Sequence, residues 1–248
     1  TEDMMKYDYI SPSGFLRQNY WNPGSNGGAN PYWTRNRNLS TDERNRVIGF
    51  ASLTYKLLPG LNVMVRSGLD RYRDDAELLW YNDTYTIAAA GNYQVAGRDV
   101  LETNNDFLFT LDKKIATDFT VNANIGGNIQ KNKIVTTTTT NGALVVENLF
   151  VTSNTTASGT NRSLLEREKQ SLYATADFGY KNLLTLTLTG RNDWSSTLPK
   201  ENNSYFFPSV GLTAILSDMV KLPAAINFAK LRGSFAQTGP VLDRKSVV

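Results

Sequence analysis

The chain has 248 residues, a net charge of +3 and neither Cys nor His. Without Cys there is no disulfide framework or thiol chemistry. Without His the commonest general base and metal ligand is missing, which removes Ser-His-Asp catalysis and argues against haem or zinc sites. So small a charge gives no electrostatic footprint for a nucleic-acid partner. No run of about 18 apolar residues exists to cross a membrane as a helix. The charged start, Thr1 to Tyr9, is no apolar signal-peptide core. A first residue other than Met, and a basic end at Asp243 to Val248, read as the bounds of a piece of a longer chain.

Near the start, Asn30-Pro31-Tyr32-Trp33 reads as a turn with packing aromatics. From there the pattern is period-2 alternation, the mark of strands with two different faces. Over 47–57, Val47, Gly49, Ala51, Leu53, Tyr55 and Leu57 share one side, and Ile48, Phe50, Ser52, Thr54 and Lys56 the other. Pro59-Gly60 turns the chain. Leu61, Val63, Val65, Ser67 and Leu69 then oppose Asn62, Met64, Arg66, Gly68 and Asp70. Segment 103–111 ends with Phe107, Phe109 and Leu111 on one side. In 119–130, Phe119, Val121, Ala123, Ile125 and Ile129 oppose Thr120, Asn122, Asn124, Asn128 and Gln130.

The second half repeats this. Leu172, Ala174, Ala176, Phe178 and Tyr180 oppose Tyr173, Thr175 and Asp177. After a Lys181-Asn182 turn, Leu184, Leu186 and Leu188 oppose Thr185, Thr187 and Thr189. Val210, Leu212, Ala214 and Leu216 form the next stripe. Finally Ala229, Leu231, Gly233 and Phe235 stand against Lys230, Arg232 and Ser234. This makes eight candidate strands and an all-β chain.

Two patterns favour a membrane barrel over a soluble sheet. The apolar stripes carry no Asp, Glu, Lys or Arg, whereas the opposite stripes hold Lys56, Arg66, Asp70, Asp177, Lys230 and Arg232. A lipid-facing Lys or Arg at the midplane costs about 2–4 kcal/mol. Connections also alternate: short at 58–60, 112–118, 181–183 and 217–226, long at 73–102, 131–169 and 191–204. Outer-membrane barrels have short periplasmic turns and long extracellular loops. Tyr55, Phe119 and Tyr180 by the short turns, and Phe107 and Phe235 by the long loops, read as two interfacial girdles. A soluble β-sandwich carbohydrate-binding module is the alternative, since a soluble core also excludes charge.

Arg191 to Leu216 (RNDWSSTLPKENNSYFFPSVGLTAIL) followed by Phe228 to Gly239 (FAKLRGSFAQTG) resembles the barrel of SusC/RagA-type TonB-dependent outer-membrane receptors of Bacteroidota. Asn30 to Trp33 and Thr41 to Asp70 are similar to that family too. The resemblance implies an antiparallel transmembrane β-barrel of about 22 strands around a plug, of which residues 1–248 would be an internal, eight-strand part. No plug domain or TonB box is visible in it. It further implies energy from TonB through the N-terminal region, a SusD-like surface lipoprotein as lid, and glycan oligomers or peptides as cargo. Neither enzymatic activity nor a cofactor is implied, and no nucleophile, acid or base has a partner at motif spacing.

Candidate cargo or lid contacts are the aromatics of the expected outer loops: Tyr32, Trp33, Trp80, Tyr81, Tyr85, Tyr93 and Trp194. Platforms of this kind beside Asp74, Asp75, Asp83 and Asp99 suit saccharide or peptide capture. Packing among the loops, or the interfacial belt for Trp194, is the competing role. Arg191 and Asp193 read as a local ion pair. Asp74-Asp75 fits no calcium-loop spacing. Thr136 to Thr140 reads as a low-complexity loop or a protruding hairpin. Pro208 is expected near a strand start, where a missing N–H is tolerated.

Overall fold

A computed structural model describes residues 5–20, 28–84, 88–221, 223 and 226–239. Tyr85 and the end of the chain from residue 240 lie outside them.

The elements in order are β1 (Asp8–Ile10), β2 (Leu16–Gln18), α1 (Pro31–Arg37), β3 (Ser40–Leu58), β4 (Leu61–Thr84), β5 (Ala88–Ala116) and β6 (Phe119–Asn141). They continue with β7 (Ser158–Tyr180), β8 (Leu184–Ser195), β9 (Ser204–Ile215), α2 (Leu216–Met219) and β10 (Lys230–Ala236). Strands β3 to β10 form one eight-stranded sheet in unbroken sequence order, and β1 and β2 form a separate antiparallel hairpin. The antiparallel meander is the one expected, with β3 and β10 as its outer strands.

Two compact units share these strands. One gathers Thr1–Val47, Arg71–Val100 and Ile134–Leu165, and the other Ile48–Asp70, Leu101–Lys133 and Glu166–Val248. They are called the first and second unit below.

In the second unit the register keeps like faces together. Phe178 pairs with Leu186 and Ala176 with Leu188, and these meet Leu212 and Val210 on β9. Val210 faces Phe235 and Ala214 faces Leu231 on β10. The polar faces match likewise, Thr175 with Thr189 and Asp177 with Thr187. A slip of one residue would exchange every one of these positions between faces.

Turn chemistry fixes the register. Gly60 has φ +80°, and a Cβ there would stand 2.2 Å from the Asp112 carbonyl oxygen. Asp112 donates its N–H to the Gly60 carbonyl at 2.7 Å. Lys181 and Asn182 both take positive φ, 50° and 57°, as tight hairpins between twisted strands require. Glycine also makes room for rings. A Cβ on Gly127 would lie 2.4 Å from the Phe107 ring, and one on Gly126 2.5 Å from the Tyr173 ring.

The apolar stripes are uncovered. Leu53 is 68% exposed, Leu212 53% and Leu231 61%. Buried apolar residues among those described are Trp33, Ala88, Tyr93, Val100 and Leu144, all in the first unit. Among the described residues, the second unit thus presents a wide apolar face with no buried apolar side chain. The only other sheet described is the β1–β2 hairpin, too small to be the second layer of a sandwich.

Three expectations need correction. Segments 73–102 and 131–169 are not long loops. β4 runs on to Thr84, β5 starts at Ala88, β6 runs to Asn141 and β7 starts at Ser158. The apolar alternation ends before the pairing does. Beyond it, ladders are held by cross-strand ion pairs such as Arg44–Asp74 (2.5 Å) and Arg71–Asp99 (2.7 Å). They are also held by Val95 donating its N–H to Thr139 Oγ1 at 2.9 Å, and the Thr136–Thr140 run is part of strand β6. The 191–204 connection likewise shrinks to 196–203. Pro208 stands inside β9 opposite Gly190, not near its start. Its carbonyl accepts from Gln237 N at 3.0 Å, on the side away from β8. The absent N–H points the same way, past the last β9–β10 pair, so the β8 ladder loses nothing.

Candidate functional site

The polar face of the second unit is cross-linked strand to strand. Arg66 Nε donates to Asp106 at 2.9 Å. Asn128 Nδ2 reaches Asn104 at 2.6 Å and Asp106 at 2.7 Å. Gln130 donates to Glu102 at 2.9 Å and Thr187 to Asp177 at 2.5 Å. Alternation places these groups on one face, and the antiparallel register puts donors beside acceptors.

The Arg191–Asn192–Asp193–Trp194 segment divides by parity. Arg191 and Asp193 lie on the polar face. Arg191 Nε donates to Asp193 at 2.7 Å, its Nη2 to Ser171 Oγ at 2.9 Å, and its guanidinium lies 5.8 Å from the Tyr173 ring centre. Lys169 Nζ adds a second cation, 3.1 Å from Asp193. Asp193 is only 5% exposed, so two cations serve one buried carboxylate. The local ion pair read from sequence is present. Sequence reasoning missed Lys169, which no spacing links to Asp193 and which register alone brings near. Trp194 lies half-buried on the apolar side, at the end of the leucine stripe.

In the first unit three of the sequence-predicted aromatics, Trp33, Tyr81 and Tyr93, gather into one cluster with Phe150. Asn30 caps α1 by accepting from Tyr32 N at 3.0 Å, with Pro31 at the first helical position. That turn delivers Trp33 to full burial, its Nε1 donating to Thr84 Oγ1 at 3.1 Å. Trp33 meets Tyr81 edge-on at 5.8 Å, Tyr81 meets Phe150 at 4.8 Å, and Tyr93 meets Phe150 at 6.4 Å. Phe150 was not foreseen, because it sits in 142–157 without periodicity.

A polar collar closes round Asp83, whose φ is +73°. Its carboxylate accepts from Gln18 N at 3.1 Å and from the Tyr20 hydroxyl at 2.7 Å. Burial first, and then that hydrogen bond to Asp83, push the Tyr20 phenol well above the usual tyrosine range. Asn82 and Asn148 bond reciprocally, N–H to side-chain oxygen, at 2.8 and 3.1 Å. Asp74 and Asp75 are each held by an arginine, Arg44 and Arg73, rather than set as cation ligands.

The candidate contacts differ in exposure. Trp33 and Tyr93 are buried and pack within the fold. Tyr32, Trp80, Tyr81 and Trp194 keep part of their surface open. Tyr85 lies outside the described residues.

The chain matches the family described as TonB dependent receptor-like, beta-barrel over residues 2–239, and it belongs to that family. Its fold is similar to solved chains of the RagAB peptide importer in the "open-open" state, with a TM-score of 0.78 at 16% identity. That likeness covers 91% of this chain and 26% of the solved one. The RagAB peptide transporter matches at TM-score 0.76 and 17% identity, covering 90% and 26%. The "closed-closed" importer matches at 0.76 and 15%, covering 84% and 24%. The chain therefore spans about a quarter of the length of these solved chains. No curated protein matches it. The family match bears out the TonB-dependent receptor barrel read from Arg191 to Gly239, and the RagAB likeness agrees with it in fold.

Proposed function

We infer that the chain forms part of the wall of a TonB-dependent outer-membrane importer. The observation that carries this is the uncovered apolar face of the second unit, backed by a cross-linked polar one. Lipid would cover the first, and the second would face the lumen and a plug. The role of this wall is passive. It holds the plug, and its loop ends shape the space that cargo enters. No catalytic step is assigned to it.

The finer reading is import of oligomeric cargo, a peptide or a glycan, beneath a SusD-like lipoprotein lid and driven through TonB. The likeness to the RagAB peptide importer supports the peptide alternative. Within this chain Tyr32, Trp80, Tyr81 and Trp194 are the contacts to test, together with Tyr85. The experiment is isolation of the protein from outer membranes under mild detergent, with mass spectrometry of what accompanies it. A co-purifying lipoprotein and bound oligopeptides are expected. Bound saccharides would reassign the cargo, and recovery in the soluble fraction without detergent would refute the wall reading.

A further inference from the structure

In the first unit, residues 158–165 of β7 have one edge paired and one edge open. The Ala157 carbonyl accepts from Gly142 N at 2.5 Å, and the Gly159 carbonyl from Thr140 Oγ1 at 3.5 Å. Odd-numbered residues therefore turn their backbone groups towards β6. In an antiparallel ladder alternate residues turn theirs the other way. Ser158, Thr160, Arg162 and Leu164 thus carry their N–H and C=O on the opposite edge. Among the described residues no strand of the first unit pairs with that edge. β8 pairs with β7 from Lys169 to Tyr180, within the second unit. The 142–157 connection leads away from the open edge, with Leu144 donating its N–H to the Ala90 carbonyl on β5 at 3.0 Å. Residues 158–164 are all exposed.

We propose that this open edge takes an oligopeptide as an added strand. The inference rests on the peptide reading of the cargo. A row of unpaired N–H and C=O groups is a template for another extended chain, and edges left in water are usually blunted by Lys, Pro or a bulge. Neither Lys nor Pro occurs in 158–165, and β7 runs through it without a break. At about 3.3 Å per residue the open stretch is about 26 Å long, room for a peptide of about eight residues. The chemistry selects the occupant. Donor and acceptor recur together at every second residue, about 6.6 Å apart, and an extended peptide repeats at the same interval. A saccharide chain has hydroxyls but no N–H and C=O row at that repeat. Thr160, Asn161, Arg162 and Ser163 flank the edge with polar side chains. Main-chain bonds then supply the affinity, and the sequence of the cargo matters little.

The test uses the whole receptor in detergent, with heat-modifiable gel migration to verify the folded barrel. The probe is a protein digest of oligopeptides about eight to twelve residues long, enough to span the edge. Native mass spectrometry reads retention, and amide exchange reads the edge. In the free receptor the amides of Ser158, Thr160, Arg162 and Leu164 should exchange fast, and retained peptides of varied sequence should slow them. Arg162→Pro and Leu164→Pro each remove an outward N–H and leave the odd-numbered bonds to β6 in place. Each should weaken retention about three- to tenfold, the loss of one main-chain hydrogen bond. Ser163→Ala alters no main-chain group and should change retention by less than about twofold. If a proline variant loses the folded-barrel migration, exchange in the unaltered receptor still decides. Peptides retained with exchange at 158–165 unchanged overturn the edge and leave the peptide reading intact. Retention unchanged in both folded proline variants does the same. Amides already slow without peptide also overturn it, because another part of the receptor then fills the edge. Failure to retain any oligopeptide overturns the peptide reading, and the edge with it.

Discussion

Placing arginine at Leu188 separates a wall in lipid from a sheet in water. Leu188 lies on β8 between Ala176 and Val210, on the uncovered face. It is four residues from Leu184, hence about 13 Å along the strand. At a tilt of about 45° that is roughly 9 Å of depth. An apolar band about 25 Å tall puts the site within a few ångströms of the midplane. Leu188→Arg should therefore cost about 2–4 kcal/mol, a fall of about 30- to 1000-fold in the folding equilibrium. In water the same position is 41% exposed, and a surface change there would stay within about 0.5 kcal/mol. Thr187→Arg is the control. It sits on the polar face beside Asp177, which can take the new charge, so its cost should stay below about 1 kcal/mol. The assay is urea titration of folding into lipid vesicles, followed by tryptophan fluorescence. Equal costs at 187 and 188, or a silent Leu188→Arg, would refute the orientation of the two faces.

Trp33→Ala should destabilise the first unit by about 3–5 kcal/mol, seen as faster amide exchange at 81–84 and 144–150. Trp33→Phe should recover most of this while losing the Thr84 bond. Asp193→Asn leaves Arg191 and Lys169 facing a neutral group and should cost about 2–4 kcal/mol. A double-mutant cycle with Arg191→Met should return a coupling above about 0.5 kcal/mol, and strict additivity would break the cluster as described. Acid should loosen the Arg71–Asp99 rung. The hydrogen bond from Arg71 holds the Asp99 carboxyl below the usual aspartate range. A depressed folded-state value means its contribution is present above the unfolded value of about 3.9 and is lost as pH falls through the folded one. Exchange at 71–73 and 97–99 should quicken below about pH 4, and Asp99→Asn should already show that faster exchange at neutral pH.

Much of the fold is legible in the order of residues. Period-2 alternation depends only on side chains pointing to opposite sides of a strand, so Leu184 to Gly190 or Phe119 to Ile129 declare their faces without a partner. Pro59-Gly60 and Lys181-Asn182 likewise carry their turns in local backbone preference, and the RNDWSS to KLRGSFAQTG series carries the family. Extent and company were decided elsewhere. β4, β5, β6 and β7 run well past their apolar stripes because neighbouring backbones keep pairing, and Arg71 finds Asp99 only across that ladder. Trp33, Tyr81, Tyr93 and Phe150 come together from four separate segments, and only that meeting buries Trp33 and Tyr93. Lys169 joins Asp193 by register alone. Short-range preference sets what each segment becomes. Contacts between residues tens of positions apart, made only when strands dock, decide which side chains are buried and which remain open to a ligand.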